Sequence, residues 1–390
     1  VNSERSGVRA ARMFDGEVLH EGPVLLVLEA GRIRDVDLTG APPPRGVELV
    51  EFADSTLLPG LVDAHSHLAW DPDQPAEKIA TEDEASLLAR TRRHAEKALR
   101  AGVTTVRDLG DRAFVSLKAR NEYRAGQAIG PELLVAGPPI TRTGGHCWYL
   151  GGEADARDEV VAAVVERARL GVDLVKVMAT GGFTSKNSNP FQPAYSLEQL
   201  TALVRAAHEH KLRVTAHAHA TAGIATAIEA GVDGVEHCTF VSENGVALDP
   251  ELVETMAAKG IWVGTTIGRE RPGRPPEAAR LIKQLLPNAL ELRRRGVPLV
   301  LCTDAGINET RPHDVLPSDL VYAAHRGFTN QDVLTIATSD AAASCNVGDR
   351  KGRIAPGYDA DLIAVPGNPL HRIENLLDVQ AVFRGGHRVR

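Results

Sequence analysis

The sequence predicts an α/β chain: a (β/α)8 TIM-type barrel flanked by a small β-sandwich that the two chain ends build together. Three observations carry this. Eight short apolar runs alternate with amphipathic, helix-like stretches from Leu61 to about Cys345. The segments entering the apolar runs are short, whereas several of those leaving them are long. Both ends of the chain instead show brief alternating runs broken by turn dipeptides. The expected boundaries are 1–58 and 349–390 for the sandwich and 59–348 for the barrel.

The terminal stretch VRAARMFDGEVLHEGPVLLVLEAGRIRDVDL is interrupted at DG, EG and AG, which points to antiparallel strands joined by tight turns. KGRIAPGYDADLIAVPG and VQAVFRGGHRVR at the other end have the same character. The barrel strands are expected at 61–67, 104–110, 132–137, 174–180, 213–219, 234–240, 261–266 and 299–305. Parallel strands joined by helical crossovers close most economically as eight units. An open doubly wound sheet would place a glycine-rich phosphate loop after an early strand, and none is present.

Between these runs, EASLLARTRRHAEKALRAG repeats apolar residues at three- and four-residue intervals, with Gly102 closing the helix. SLEQLTALVRAAHEH begins with Ser196 as N-cap and Gln199 completing a capping box. RAGVTTV, RLGVDLV, EAGVDGV and RRGVPLV place glycine where a helix should end before a strand. Length accumulates instead in TRTGGHCWYLGGEADAR, GGFTSKNSNPFQPAY and IGRERPGRPP, the loops that form the catalytic face of such a barrel.

Composition narrows the function. The 390 residues are 43% hydrophobic and carry a net charge of −7, a field that attracts neither nucleic acid nor an anionic membrane surface. Arg269–Arg274 is the one basic patch, and it reads as a solvated loop. Cys147, Cys238, Cys302 and Cys345 are widely spaced, as expected of reduced, mostly buried thiols. The first residues lack an apolar leader core, and no run reaches the ~20 apolar residues of a membrane span. A cytoplasmic protein acting on a small molecule is expected, and outer barrel helices leave room for a homo-oligomer.

The chemistry-bearing residues gather at strand ends. His65 and His67 lie two apart on the first strand and share a face, so both can point at one metal. Lys176 lies in the apolar run LVKVM, where an ammonium must be paired, neutral or modified. Reaction with CO2 would turn it into a carbamate able to bridge two cations; a salt bridge to Asp108 or Asp304 is the plainer alternative. His217, His237 and Asp304 sit near the ends of the fifth, sixth and eighth strands. His219 shares a strand face with His217 and competes with it as a ligand. Four imidazoles, a bridging anion and a carboxylate suit zinc or a similar borderline divalent metal. His94, His208 and His210 fall in charge-rich helical segments and are expected at the surface.

Taken together, LLPGLVDAHSHL, GVTTVRDLG, the GGH at 144–146, VKVMATGG, VTAHAHA, GVEHCTF, LCTDAG and GRIAPGYDADLIAV…FRGG resemble the amidohydrolase superfamily, in its prolidase-like and imidazolonepropionase-like branch. The resemblance spans nearly the whole chain. It implies that His65, His67 and Asp304 hold one metal, that His217 and His237 hold the other, and that carbamylated Lys176 bridges them. It also implies that His146 hydrogen-bonds the substrate carbonyl or its oxyanion. Many relatives have tyrosine where this chain has Phe240, which weakens transfer of dipeptidase specificity.

Two adjacent cations would make a bridging water a hydroxide near neutral pH, with Asp304 as its base and later the acid for the leaving nitrogen. Hydrolysis of a C–N bond in an amide, dipeptide, N-acyl amino acid, urea, carbamate or cyclic amide follows. Arg142, Lys186, Arg269 and Arg271 are candidate partners for a substrate carboxylate, and Trp148 and Tyr149 candidate pocket walls. A deaminase is the nearest alternative, yet the expected HxxE glutamate is missing after His217. A lactonase or esterase, and a metal-free binding protein on the same scaffold, are the others.

Overall fold

The computed structural model describes residues 5–186, 188–243, 245–266 and 276–390. Most of IGRERPGRPP, and with it Arg269 and Arg271, lies outside the described residues.

Each of the eight apolar runs forms a strand. Numbered in chain order after four N-terminal strands, they are β5 (Leu61–Ser66), β6 (Val103–Asp108), β7 (Glu132–Val135), β8 (Leu174–Met178), β9 (Arg213–Ala220), β10 (Gly234–Ser242), β12 (Trp262–Thr266) and β13 (Leu299–Cys302). The two-residue β11 (Gly245–Val246) folds back on β10. Strands β5–β6–β7 form one parallel sheet and β8–β9–β10–β12–β13 another. Parallel bridges Ser66–Ala305 and Ile140–Val177 connect them.

A helix follows each of these eight strands: α1 (Glu84–Arg100), α2 (Val115–Arg124), α3 (Arg157–Leu170), α4 (Leu197–Glu209), α5 (Thr221–Ala230), α6 (Pro250–Lys259), α7 (Pro276–Arg294) and α8 (Leu316–Ala324). Two more, α9 (Asn330–Ile336) and α10 (Ser339–Ser344), follow directly. Ser196 caps α4 with the expected box: its hydroxyl accepts from the Gln199 N–H, and the Gln199 side chain accepts from the Ser196 N–H. Gly171 and Gly231, at φ +78° and +89°, end α3 and α5 in the left-handed conformation that lets the chain turn into the next strand.

Every residue of β5, β6 and β8 is buried. Strands covered on both faces carry near-continuous apolar sequence, so a histidine, aspartate or lysine among them is conspicuous. One large core joins strand residues such as Val106, Val175, Val235 and Val300 to helix residues such as Leu99, Leu203, Ile228 and Leu320. All four cysteines are buried and unpaired. Among the described residues, no helix is long and apolar enough to cross a membrane.

The chain ends do combine. β1 (Ser6–Phe14), β2 (Leu19–Glu29), β3 (Arg32–Asp37), β4 (Glu48–Pro59), β14 (Leu362–Pro366), β15 (Ala381–Arg384) and β16 (His387–Arg388) form one seven-stranded sheet, in the order β16-β15-β14-β4-β1-β2-β3. Its own core includes Val8, Leu26, Ile33, Leu57, Leu362 and Phe383. Among the described residues these strands follow this single path, and β1 pairs β4 in parallel rather than antiparallel. Alternation marks a half-buried strand but carries no information about the direction of its neighbour.

Candidate metal centre

The end of β5 brings two imidazoles to one carboxylate. His65 Nε2 and His67 Nε2 lie 3.5 and 3.2 Å from Asp304 Oδ1. Asp304 follows β13, and its N–H donates to the His65 carbonyl at 2.8 Å. His65 donates from Nδ1 to Glu236 Oε2 at 2.8 Å, and His67 from Nδ1 to the Gly110 carbonyl at 3.0 Å. Both partners can only accept, so both Nε2 atoms keep a lone pair directed inward.

A second group comprises His217, His219 and His237. Within each group the candidate ligand atoms lie within 4.8 Å of one another. His237 and Asp304 adopt φ +67° and +53°, and the β10 register slips between His237 and Val241. Such bulges re-aim side chains, and left-handed non-glycine backbone tends to be kept where function needs it. His219 Nδ1 and His237 Nδ1 each lie 3.0 Å from a threonine hydroxyl, Thr239 and Thr266. His217 donates from Nε2 to the Gly181 carbonyl at 3.2 Å, which leaves Nδ1 as its ligand atom. The choice between His217 and His219 is therefore not forced by geometry: both belong to the group. Its rings approach those of the first, with His65 and His237 centroids 5.1 Å apart.

Burial and crowding keep His65, His217, His219 and His237 neutral. Burial, with the Lys176 charge, lowers His65 to about 4, and burial lowers His219 to about 3. His217 and His237 are also pushed far down, by burial and then by neighbouring histidines. For Asp304 burial acts upward, but its close approach to the His67 and His65 rings and the charge of Arg311 hold it far below the usual carboxylate range.

Lys176 borders the same cavity and is 1% exposed. Its Nζ has no hydrogen-bond partner among the described residues. Burial lowers it to about 8, against the attraction of Glu236 and Asp304. The expected alternative, a structural salt bridge, is not formed. Asp108 instead accepts from Leu68 N–H at 2.9 Å, Ser116 Oγ at 2.9 Å and Gly110 N–H at 3.1 Å. Neutral imidazoles, an ionised carboxylate and an orphaned buried amine form a donor set that fits divalent cations in both groups.

His146 enters from the loop after β7. Its ring centroid is 4.4 Å from that of His217, and its Nδ1 is 3.1 Å from Ser185 Oγ. Gly182 makes room for it, since a Cβ there would lie 2.4 Å from His146 Nε2. Burial lowers this histidine to about 3.

Several expectations need correcting. Tyr149 is buried against Cys147, Trp148 is 42% exposed, and neither lines the cavity; Trp70 does, stacked 4.8 Å from His67. Arg142 is paired with Asp155 at 3.0 Å and Lys186 is 86% exposed, both away from the cavity lining. His94 is not a surface residue: it binds the Leu68 carbonyl at 2.9 Å and stacks 4.0 Å from buried His313. His208 and His210 are exposed as expected. Sequence reasoning overlooked Glu236, which also accepts from Arg107 Nη2 at 2.9 Å and Thr215 Oγ1 at 2.6 Å. It overlooked Arg311 too, seven residues beyond Asp304 in the loop after β13, on the face already predicted to be catalytic. The cavity has a volume of about 190 Å³.

The chain is similar to several known hydrolases. Ochratoxinase of Aspergillus niger is 31% identical over 376 residues, 85% of this chain and 75% of that protein. Imidazolonepropionase of Streptomyces griseus subsp. griseus is 24% identical over 385 residues, 89% of this chain and 87% of its own length. A Xaa-Pro dipeptidase crystal structure with methionine bound in its active site superposes with a TM-score of 0.89 at 28% identity, covering 99% of this chain and 100% of that one. The family model described as "Amidohydrolase family" matches residues 56–389, and this chain is a hydrolase belonging to that family.

Proposed function

We propose that the chain hydrolyses a C–N bond in an amide, N-acyl amino acid, dipeptide, urea, carbamate or cyclic amide, using two divalent ions. His65, His67 and Asp304 would hold one ion, and His217 and His237 the other, with His219 beside them. Nitrogen-rich donors favour zinc. The observation that carries this reading is the unpartnered Nζ of buried Lys176 in a cavity shared by both ligand groups. As a neutral amine it can add to CO2 and lose a proton, giving a carbamate whose oxygens answer two cations. Support for a closed barrel comes from the Ser66–Ala305 and Ile140–Val177 bridges, and for a division into 1–58, 59–348 and 349–390 from the change of sheet after β4.

Two bound ions would supply Lewis acidity toward the scissile carbonyl and acidify the attacking water. The ionised Asp304 is placed to take that water's proton and return it to the leaving nitrogen. His146, neutral and held at Nδ1 by Ser185, can donate from Nε2 to the carbonyl oxygen as it gains charge. Glu236 and the Gly110 carbonyl fix the ring orientation of His65 and His67. The names of the related dipeptidase and imidazolonepropionase are consistent with such chemistry. In Asp304→Asn, turnover of a panel of these substrates should fall by roughly 10³-fold or more while most metal stays bound. Near-normal turnover in that variant, followed alongside metal content, would remove Asp304 from the mechanism.

A further inference from the structure

The backbone ladder that joins the first ligand group is short. Asp304 N–H donates to the His65 carbonyl at 2.8 Å, and His67 N–H to the Ala305 carbonyl at 3.0 Å. Beyond this point the chain leaves the sheet, and its next carbonyls need other donors. Side chains supply them in succession: His313 Nε2 to His67 at 3.1 Å, His94 Nδ1 to Leu68 at 2.9 Å and Arg90 Nη1 to Ala69 at 3.1 Å. Trp70 N–H shares the His67 carbonyl at 3.2 Å. A carbonyl only accepts, so each imidazole carries its proton on the nitrogen facing the backbone. The two rings stack 4.0 Å apart and 17° from parallel.

His313 is buried, and it belongs to the same loop after β13 that begins with Asp304. Gly306, at φ +104°, lets that loop pass: a Cβ there would lie 2.5 Å from the His67 carbonyl oxygen and 3.3 Å from His313 Nε2. Lys97, one turn beyond His94 on α1, pairs with Asp314 at 3.2 Å. The loop carrying Asp304 thus returns to grip the backbone of His67, braced by α1. The second group is held differently, through its rings, by the Gly181 carbonyl and the hydroxyls of Thr239 and Thr266. Resting on the two-ion reading above, we infer that His313 is a positioning residue for the first ion alone. It fixes His67 against Asp304 from the backbone side, and the site depends on its N–H rather than on its bulk.

The test compares zinc-loaded wild type with His313→Leu and with His313→Gln, whose amide N–H can replace the imidazole donor. In chelator competition His313→Leu should release one of its two ions about 10–100-fold more readily and the other unchanged, while His313→Gln should hold both. Turnover of the amide panel by His313→Leu should fall at limiting zinc and recover as free zinc is raised, which a merely weakened fold would not do. Hydrogen exchange of the metal-free protein is a second arm: the His67 and Leu68 amides should exchange roughly tenfold faster in His313→Leu, with those of β8 to β10 unchanged. Equal ion retention by His313→Leu and wild type overturns the proposal. So does an equal loss of both ions, or a loss that His313→Gln shares. A wild type that binds no zinc at the first group defeats the two-ion reading instead. Faster exchange confined to His67 and Leu68 would then still support His313 as the clamp of that strand end, and unchanged exchange would overturn it.

Discussion

Two buried lysines in this molecule, Lys176 and Lys351, are 1% and 3% exposed, and they could hardly be treated more differently. Lys351 sits between the terminal sheet and β7, where its Nζ lies 2.6 Å from Asp361, 2.8 Å from Asp359 and 3.0 Å from Glu132. Arg350 and Arg384 complete the cluster, reaching the same carboxylates. Lys176 has no such partner. A buried charge that finds carboxylates inside the protein is architecture, whereas one left without them calls for something the polypeptide does not itself contain.

The sharpest way to break that contrast is to replace each ammonium with a neutral side chain of similar length. In Lys176→Met, turnover should fall by roughly 10³-fold or more and bound metal should drop from two ions toward one. Stability of the metal-free protein should stay level or rise, since an unpartnered polar group has been removed from the interior. A clear loss of stability in denaturant titrations of that metal-free variant would mean that Lys176 is a structural residue after all.

Lys351→Met should do the opposite. Buried Asp361 and the half-buried Glu132 and Asp359 would lose their shared cation, and unfolding free energy should drop by about 3–5 kcal/mol. Turnover per folded molecule should be nearly unchanged, because the cluster lies outside the cavity lined by the two candidate ligand groups. Denaturant midpoints and active-site titration separate the two effects.

The same pair of lysines shows what was legible in the sequence. Lys176 could be singled out because it interrupts LVKVM, a run whose apolar context announces burial. His65, His67, His237 and Asp304 stood out for a similar reason, each at the end of an apolar run on the face that the loop lengths had already marked. Lys351 gave no such signal. Its partner Glu132 is more than two hundred residues away, and KGR in a glycine-rich stretch reads as surface. Glu236 was missed because a glutamate beside histidine in VEH looks like the solvent-facing half of an alternating strand. Arg311 lies in a loop without periodicity, where only folding shows which way a side chain turns. The parallel β1–β4 pair was hidden likewise, since alternation fixes a strand but not its neighbour.

A smaller effect probes the surroundings of Lys176. Glu236 is the carboxylate that most offsets its charge, and it also holds His65 by Nδ1. Glu236→Gln should weaken metal binding by about 10–100-fold, the usual result of disturbing a partner behind a ligand. Competition with a chelator reads this directly, and an unchanged affinity would show that the β5 backbone alone orients His65.

The gentlest test titrates the Lys351 cluster without mutating the lysine. Burial alone would raise Glu132, but hydrogen bonding from Arg350 and the nearby Lys351 charge bring it down to about 2, against an ordinary 4.5. A carboxyl that is more acidic folded than unfolded stabilises the fold fully above its unfolded value and loses that contribution as pH falls toward its folded one. Glu132 should therefore add nothing to the pH dependence between 7 and 5, then give up stability progressively from about 4.5 toward 2. By pH 3 its share of the loss should be on the order of 2 kcal/mol. Many carboxylates titrate in this range, so the quantity to measure is the difference between wild type and Glu132→Gln. That variant should be less stable at pH 7, and the gap should narrow as the pH drops toward 3. A gap that stays constant with pH would place the value of Glu132 in its packing, and the cluster would no longer illustrate charges satisfied from within.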